Sequence, residues 1–180
     1  MSPMGRPFTV DDLEFMPDDG NVYELIDGVL IVSPTPGRRH QRALVRMAEL
    51  LDDACPEELA VLWPPFVVRT ADRTELRPDV QVAWDEDIHG ELVLDAPLLV
   101  VEILEPSTAI NDLNNKKAAY ERMGVPSYWL LDPVRPSLVV YELADRYRKV
   151  AEVCAEEEFE TSTPFPVRVV LTELLGRPTT

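Results

Sequence analysis

The sequence predicts an α/β domain in which a mixed β-sheet is flanked by helices and extended by β-hairpins. The run at 98–104, Leu-Leu-Val-Val-Glu-Ile-Leu, is rich in β-branched apolar residues and is bounded by prolines, as expected of a buried strand. A helical pattern over residues 110–123 separates this run from a second apolar strand at 128–131. Because a helical crossover usually joins parallel strands, these two strands are predicted to lie parallel in one sheet.

The remaining elements are predicted from turn signals and from the spacing of apolar residues. Thr9 is a suitable N-cap for a short helix to residue 16, and Asp27-Gly28 is typical of a two-residue β-hairpin turn. A helix is predicted over 38–54, with Leu44, Met47, Ala48 and Leu51 on its buried face. Further segments are predicted at 59–62, 65–69, 77–84, 138–143, 147–153, 167–170 and 171–175.

Length and composition predict one domain without a membrane segment. The chain has 180 residues, of which 46% are hydrophobic, as in an ordinary globular protein. We expect a single domain at 8–176, between a flexible tail at 1–7 and a second tail at 177–180. No apolar run has the length of a membrane span, and the N-terminus lacks the apolar core of a signal peptide. These features predict a cytoplasmic protein without a membrane partner.

The charge of the chain argues against simple binding to nucleic acid. Its formal net charge is −16, from 17 Lys and Arg against 33 Asp and Glu, and such a protein repels polyanions at long range. Any binding of phosphate would depend on local clusters of positive charge. Arg38, Arg42 and Arg46 fall on one stripe of the predicted helix, with Arg39 beside it. This stripe is either a solvated face or a surface that contacts phosphates.

Two acidic residues in the predicted sheet form a candidate site. Glu102 lies within the apolar run at 98–104, where an unpaired charge costs on the order of several kcal/mol, so it needs a cation or a metal ion as a partner. Asp79 opens the preceding strand, where a lone carboxylate would cap local backbone. If these strands pair as an antiparallel hairpin, the two carboxylates lie side by side. Such a pair shares either a proton or a divalent cation.

A lysine on the following helix completes this candidate site. Asp112, Lys116 and Tyr120 are four residues apart and therefore share one helical face, whereas Lys117 is rotated by about 100°. On its own, Lys116 could equally be an exposed helical lysine. Two acids and a lysine at one edge of a sheet indicate a metal-dependent hydrolase.

Several motifs in this order resemble the Uma-two family of bacterial restriction-endonuclease-like proteins, which belongs to the PD-(D/E)xK nuclease superfamily. The resemblance covers nearly the whole chain, from residue 8 to about residue 175. The segments that carry it are 23–28, 77–80, 101–108, the trio Asp112, Lys116 and Tyr120, and 124–132.

The resemblance implies a restriction-endonuclease-like core and an endonuclease that hydrolyses nucleic acid, with DNA as the first expectation. It implies that Asp79, Glu102 and the backbone carbonyl of Ile103 bind Mg²⁺ or Mn²⁺, which prefer oxygen ligands. Lys116 would hold the attacking water, in place of the lysine that the superfamily usually carries at the position of Leu104. Glu24 would reach the site as a metal-proximal acid.

His40 matches a frequent histidine of the family, but a lone histidine is more often a capped or surface residue. The net charge and Glu105 leave the function open. Glu105 stands where relatives usually carry serine, and its charge would repel a phosphate. Two alternatives therefore remain: a catalytically degenerate nuclease fold that binds a protein partner or forms a homodimer, and a hydrolase of small phosphoesters, which would tolerate the acidic surface.

Overall fold

The structure, a computed structural model, describes residues 6–105 and 111–176. Within these residues it contains two six-stranded sheets, a two-stranded sheet and flanking helices, which confirms the predicted α/β class. The strands are β1 (Asn21–Ile26), β2 (Val29–Pro34), β3 (Leu59–Leu62), β4 (Val67–Ala71), β5 (Thr74–Leu76), β6 (Val80–Trp84), β7 (Ile88–His89), β8 (Leu92–Val93), β9 (Leu99–Ile103), β10 (Ser127–Asp132), β11 (Ser137–Leu143), β12 (Tyr147–Cys154), β13 (Glu158–Thr161) and β14 (Val167–Val170). The α-helices are α1 (Val10–Leu13), α2 (Arg38–Asp52), α3 (Lys117–Met123) and α4 (Leu171–Leu175).

The sheet that carries both predicted acidic strands has the order β12-β11-β10-β9-β6-β3. β6 and β9 are antiparallel, as predicted, with Val80 opposite Val101. β10 is parallel to β9, also as predicted, and is buried at every position. This register places the start of β6, which follows Asp79, beside the end of β9, which carries Glu102.

One face of this sheet packs against α2 and forms the main hydrophobic core. Among the residues that α2 buries are the four predicted to form its apolar face, Leu44, Met47, Ala48 and Leu51. They belong to the same buried cluster as the strand residues Val80, Val82, Leu99, Val101 and Ile103. Burying one large apolar side chain contributes about 1.5–3 kcal/mol, so this layer anchors α2 against the strands that carry the candidate site.

The second large sheet has the order β2-β1-β5-β4-β8-β7 and begins with the predicted hairpin. Its turn residues Asp27 and Gly28 have φ angles of 51° and 83°, the positive values that a type I′ turn requires. The chain from 85 to 95, where no strand was predicted, contributes β7 and β8 to this sheet. Strands of two residues are too short to show an alternating pattern in the sequence.

The helix predicted over 110–123 has two parts within the described residues. Asn111–Lys116 is π-helical and continues directly into α3. The helix ends as predicted at Gly124, whose φ of 87° is the left-handed value typical of a glycine after a helix. Across residues 6–105 and 111–176, no helix has the length and apolar character needed to cross a membrane.

The N-terminal segment is held against the second sheet by polar contacts. The Phe8 amide donates to the carbonyl of Gly28 at 3.0 Å, and Arg6 pairs with Asp12 at 2.7 Å. The hydrogen bond from Arg6 lowers the pKa of the Asp12 carboxyl to about 2. Of the two predicted tails, residues 1–5 and 177–180 lie outside the described residues.

Candidate active site

The residues predicted to form the site line one cavity of about 240 Å³. Its wall includes all five of them, Glu24, Asp79, Glu102, Ile103 and Lys116. They come from both large sheets and from the helical segment before β10. The fold therefore brings together side chains that lie far apart in the sequence.

Asp79 is held just before β6 by two contacts to one carboxylate oxygen. The backbone N–H of Ile103 donates to Oδ2 at 2.7 Å, and His40 Nε2 lies 3.0 Å from the same oxygen. His40 comes from the first turn of α2, and its side chain is buried. These contacts tie Asp79 both to the end of β9 and to α2.

Glu102 has a cationic partner inside the protein. Lys116 Nζ lies 3.3 and 3.4 Å from its two carboxylate oxygens, and the Tyr120 hydroxyl donates to Oε1 at 2.8 Å. Lys116 and Tyr120 therefore face the same carboxylate, as their spacing predicted. Lys116 is thus a cationic partner of Glu102 inside the protein.

Glu24 connects the second sheet to this cluster. Lys116 Nζ lies 2.9 Å from Glu24 Oε2, and the backbone N–H of Arg77 donates to Oε1 at 2.8 Å. Glu24 is only 3% exposed. Two buried carboxylates, Glu24 and Glu102, thus share the ammonium of Lys116, so the three side chains together carry a negative charge.

The two neighbouring lysines occupy different environments. Lys116 is buried between carboxylates, whereas Lys117 Nζ lies over the Tyr141 ring, 3.6 Å from its centroid. This difference confirms the predicted rotation of the helix. The third residue of the predicted face, Asp112, has its side chain outside the described part of the structure.

Tyr120 is completely buried beside the charged cluster. Its burial raises the pKa of the hydroxyl well above 10, and the charges of Glu102 and Glu24 raise it further. The phenol therefore stays protonated and serves as a hydrogen-bond donor that orients Glu102.

Two further residues of the cavity were not recognised as site residues from the sequence. His40 is not the surface residue that a lone histidine would more often be: its side chain is buried and is capped by the contact with Asp79. Arg77 lines the cavity, and its Nε is buried without a hydrogen-bond partner among the described residues. The only sequence signal for Arg77 was its position two residues before Asp79.

Glu105 lies at the N-terminus of α2 and also lines the cavity. Its Oε1 accepts a hydrogen bond from the Gly37 N–H at 2.9 Å, and α2 has no side-chain cap at its own N-cap residue. A carboxylate in this position is stabilised by the helix dipole, typically by about 0.3–1 kcal/mol. The negative charge of Glu105, which was expected to repel phosphate, is therefore partly compensated by the N-terminal end of α2.

The cavity has the donor set for a hard divalent cation. In the described parts of the chain, no three His, Cys, Asp or Glu side chains are grouped so that they could hold a metal ion. A site of Asp79, Glu102 and the Ile103 carbonyl requires only two side chains, and its oxygen donors suit Mg²⁺ or Mn²⁺. Because the carboxylates of the cavity outnumber the lysine between them, a divalent cation would also offset their charge.

Comparisons with known proteins show the family of this chain and its fold. The model of the Uma2 family, described as "Putative restriction endonuclease", matches residues 10–172. A crystal structure from Anabaena variabilis ATCC 29413, described as "a putative nuclease belonging to DUF820", is similar with a TM-score of 0.76 and 19% sequence identity. The match covers 94% of this chain and 98% of that chain, and at this identity it shows the restriction-endonuclease-like fold. No match was found among curated proteins.

Proposed function

We propose that this chain, which belongs to the Uma2 family, is a metal-dependent endonuclease that hydrolyses phosphodiester bonds in nucleic acid, with DNA as the first substrate to test. The observation that carries the proposal is the cavity that holds Asp79 and Glu102 at neighbouring strand ends and Lys116 beside them. Carboxylates together with a lysine at one edge of a sheet suit the cleavage of a phosphodiester.

Asp79, Glu102 and the carbonyl of Ile103 would hold Mg²⁺ or Mn²⁺. When bound, such an ion lowers the pKa of water and stabilises charge on the phosphoryl oxygens. The contact of His40 with Asp79 keeps that carboxylate in the cavity, and the Tyr120 hydroxyl does the same for Glu102.

Lys116 would orient the attacking water and stabilise the negative charge that develops on the phosphorane. Held between Glu24 and Glu102, its ammonium donates hydrogen bonds and does not act as a base. Glu24 therefore supports the reaction by positioning Lys116. In the reaction, the water oxygen bonds to phosphorus, the ester bond to the leaving oxygen breaks, and a proton passes to that oxygen.

A cleavage panel tests the proposal. Single- and double-stranded DNA and RNA and a small phosphodiester are incubated with the protein in Mg²⁺, in Mn²⁺ and in EDTA. We expect cleavage of nucleic acid with metal only, and its loss in Asp79→Asn and Glu102→Gln. Cleavage that persists in EDTA or in both variants, or a protein that binds metal and cleaves nothing, would contradict the proposal.

A second candidate function is hydrolysis of a small phosphoester. The net charge of −16 favours it, because a small substrate carries fewer charges for the protein surface to repel. Selective turnover of the small phosphodiester in the same panel would support this candidate over the endonuclease. The alternative without catalysis, a homodimer or a complex with another protein, predicts a folded protein that cleaves none of these substrates.

A further inference from the structure

The side of α2 that faces away from the cavity forms a second concave surface, which we call the arginine groove. It encloses about 790 Å³ and is lined by Arg38, Arg39, Arg42 and Arg46 on one side. Its lining also includes Val134, in the loop after β10, and Leu174 of α4. The groove therefore contains the arginine stripe that the sequence left as either a solvated face or a phosphate-contacting surface.

Three of these arginines are free to bind an external anion. Arg38, Arg39 and Arg42 are exposed, and none of them forms an ion pair or a side-chain hydrogen bond with the residues that the structure describes. Some exposed arginines elsewhere in this acidic chain, such as Arg122 and Arg168, are paired with carboxylates. The three groove arginines line one surface and have no carboxylate partner among the described residues, although acids outnumber bases 33 to 17 in the chain.

Arg46 gives the groove a fixed wall. It donates to the carbonyl of Leu174 at 2.7 Å and so joins α2 to the last helix. Arg38 and Arg39, by contrast, lie in the first turn of α2, where positive charge is unfavourable because it opposes the helix dipole. Helix stability alone therefore does not account for these two residues.

We propose that the arginine groove binds the phosphodiester backbone of the nucleic-acid substrate at a distance from the bond that is cut. The proposal rests on the endonuclease function proposed above. A guanidinium group can donate two parallel hydrogen bonds to the oxygens of one phosphate. An exposed, unpaired guanidinium does so without breaking a contact inside the protein. α2 lies between the groove and the cavity, so the groove would bind phosphates that flank the scissile bond.

The negative net charge of the protein does not exclude this binding. Exposed charges further apart than about 8–10 Å are largely screened at physiological ionic strength. A phosphate in the groove therefore interacts mainly with the nearby arginines. The other occupant of suitable charge is an acidic segment of a second copy, such as the exposed run Glu156-Glu157-Glu158, and the test distinguishes this outcome.

Two triple variants with the same charge change test the proposal. One is Arg38→Ala/Arg39→Ala/Arg42→Ala, and its control is Arg73→Ala/Arg146→Ala/Arg148→Ala, in which the three arginines are also exposed and unpaired among the described residues. Fluorescence anisotropy measures the affinity for a labelled DNA duplex of about 20 base pairs, with Ca²⁺ in place of Mg²⁺ and at several salt concentrations.

The groove variant is expected to change the salt dependence of binding. Each phosphate contact adds about 0.9 to the slope of log affinity against log salt, so losing three contacts lowers the slope by about 2.7. Raising the salt from about 50 to about 200 mM should therefore weaken the wild type about 40-fold more than the groove variant. The control variant should keep the slope of the wild type. Should the triple variant not fold, Arg42→Ala gives the same comparison with a change of about 0.9.

Each outcome has a definite meaning for the groove. Equal effects in both triple variants would show that only net charge matters, and a wild type that binds no DNA would also overturn the proposal. A wild-type oligomer in sedimentation that only the groove variant dissociates would instead identify an interface between copies. Groove-dependent binding without any cleavage would leave the groove proposal standing and reject the endonuclease. Cleavage by the wild type, together with unchanged DNA binding by the groove variant, would support the endonuclease and reject the groove proposal.

Discussion

The two concave surfaces on either side of α2 differ in the sign and in the pairing of their charges. The cavity contains carboxylates, and the charges of Glu24, Glu102 and Lys116 are buried and contact one another. Three of the four arginines of the arginine groove, Arg38, Arg39 and Arg42, are exposed and have no partner among the described residues. The net charge of −16 is a property of the whole chain and does not indicate the charge of either surface. The ligands that each surface can bind depend on the charged side chains within it.

Because of this difference, substitutions in the cavity and substitutions in the arginine groove should affect different properties of the protein. Removing a buried, paired charge leaves its partner unsatisfied, so changes in the cavity should alter the free energy of unfolding. Removing an exposed, unpaired arginine leaves nothing unsatisfied, so changes in the groove should alter binding and its salt dependence only. The following predictions concern the cavity and run from the largest expected effect to the smallest.

Lys116→Met should have the largest effect. It leaves the buried carboxylates of Glu24 and Glu102 without their ammonium, and breaking a buried ion pair in this way costs about 3–5 kcal/mol. Urea denaturation in EDTA measures this loss. Turnover of any phosphodiester should also fall, by about 10²–10³ when measured under conditions where the variant is folded.

Lys117→Met is the matched control for this prediction. It removes the same charge from the next residue but only a contact with the Tyr141 ring, which is worth about 0.5–1 kcal/mol at an exposed site. Mn²⁺ should restore part of the stability lost in Lys116→Met, because the unpaired carboxylates attract a divalent cation. Similar losses of stability and turnover in the two variants would refute the role of Lys116.

Tyr120→Phe should cost about 1.5–3 kcal/mol, because Glu102 loses a hydrogen bond to its charged carboxylate. The same variant changes the response to alkaline pH. Since the pKa of Tyr120 is raised in the folded protein, its contribution to stability is complete below about pH 10 and is lost as the pH rises above that value. Denaturation followed from pH 8 to pH 11 should show a shallower alkaline loss in Tyr120→Phe than in the wild type. An identical pH profile would mean that Tyr120 is not buried beside the carboxylates.

Glu105→Ala should destabilise the protein by about 1 kcal/mol, the usual cost of losing the cap of a helix. Glu105→Gln keeps a hydrogen-bond acceptor for the Gly37 N–H and should lose less stability. Because Glu105→Gln also removes a negative charge from the cavity, any cleavage of nucleic acid should become faster. Slower cleavage by Glu105→Gln would contradict repulsion between Glu105 and phosphate.

Glu102→Gln should change the metal-free stability by less than about 1 kcal/mol, the smallest effect of the four. The remaining Glu24 and Lys116 form a balanced pair, and the glutamine oxygen can still accept from the Tyr120 hydroxyl. Calorimetry should nevertheless show the loss of Mn²⁺ binding. A loss of stability as large as that of Lys116→Met would show that Glu102, and not Glu24, is the main partner of the lysine.

The sequence predicted those parts of the site that depend on periodicity or on neighbouring strands. The alternation of β6 and the apolar run of β9 placed Asp79 beside the strand of Glu102, and the helical spacing placed Lys116 and Tyr120 on one face. The role of Glu24 came only from the resemblance, because strand alternation does not reveal which sheet or helix packs against a given face.

Other features could not be predicted because they depend on contacts between distant segments. His40 and Asp79 are 39 residues apart, and nothing in the helical pattern of α2 indicated that its first turn reaches β6. The arginine stripe was visible in the sequence, but its groove also needs a wall formed by Leu174 and the loop after β10. β7 and β8 were missed because two-residue strands are formed by tertiary packing and have no local signal.

The sharing of one ammonium between Glu24 of one sheet and Glu102 of the other also has a consequence for the order of folding. The cluster joins segments from β1 to the helix before β10, and closing such long loops is slow compared with forming a hairpin. We therefore expect its contacts to form after the folding transition state, so that the cavity is assembled only when both sheets have docked. A partly folded chain would then hold no assembled cavity, so that any chemistry of this site begins only in the fully folded protein.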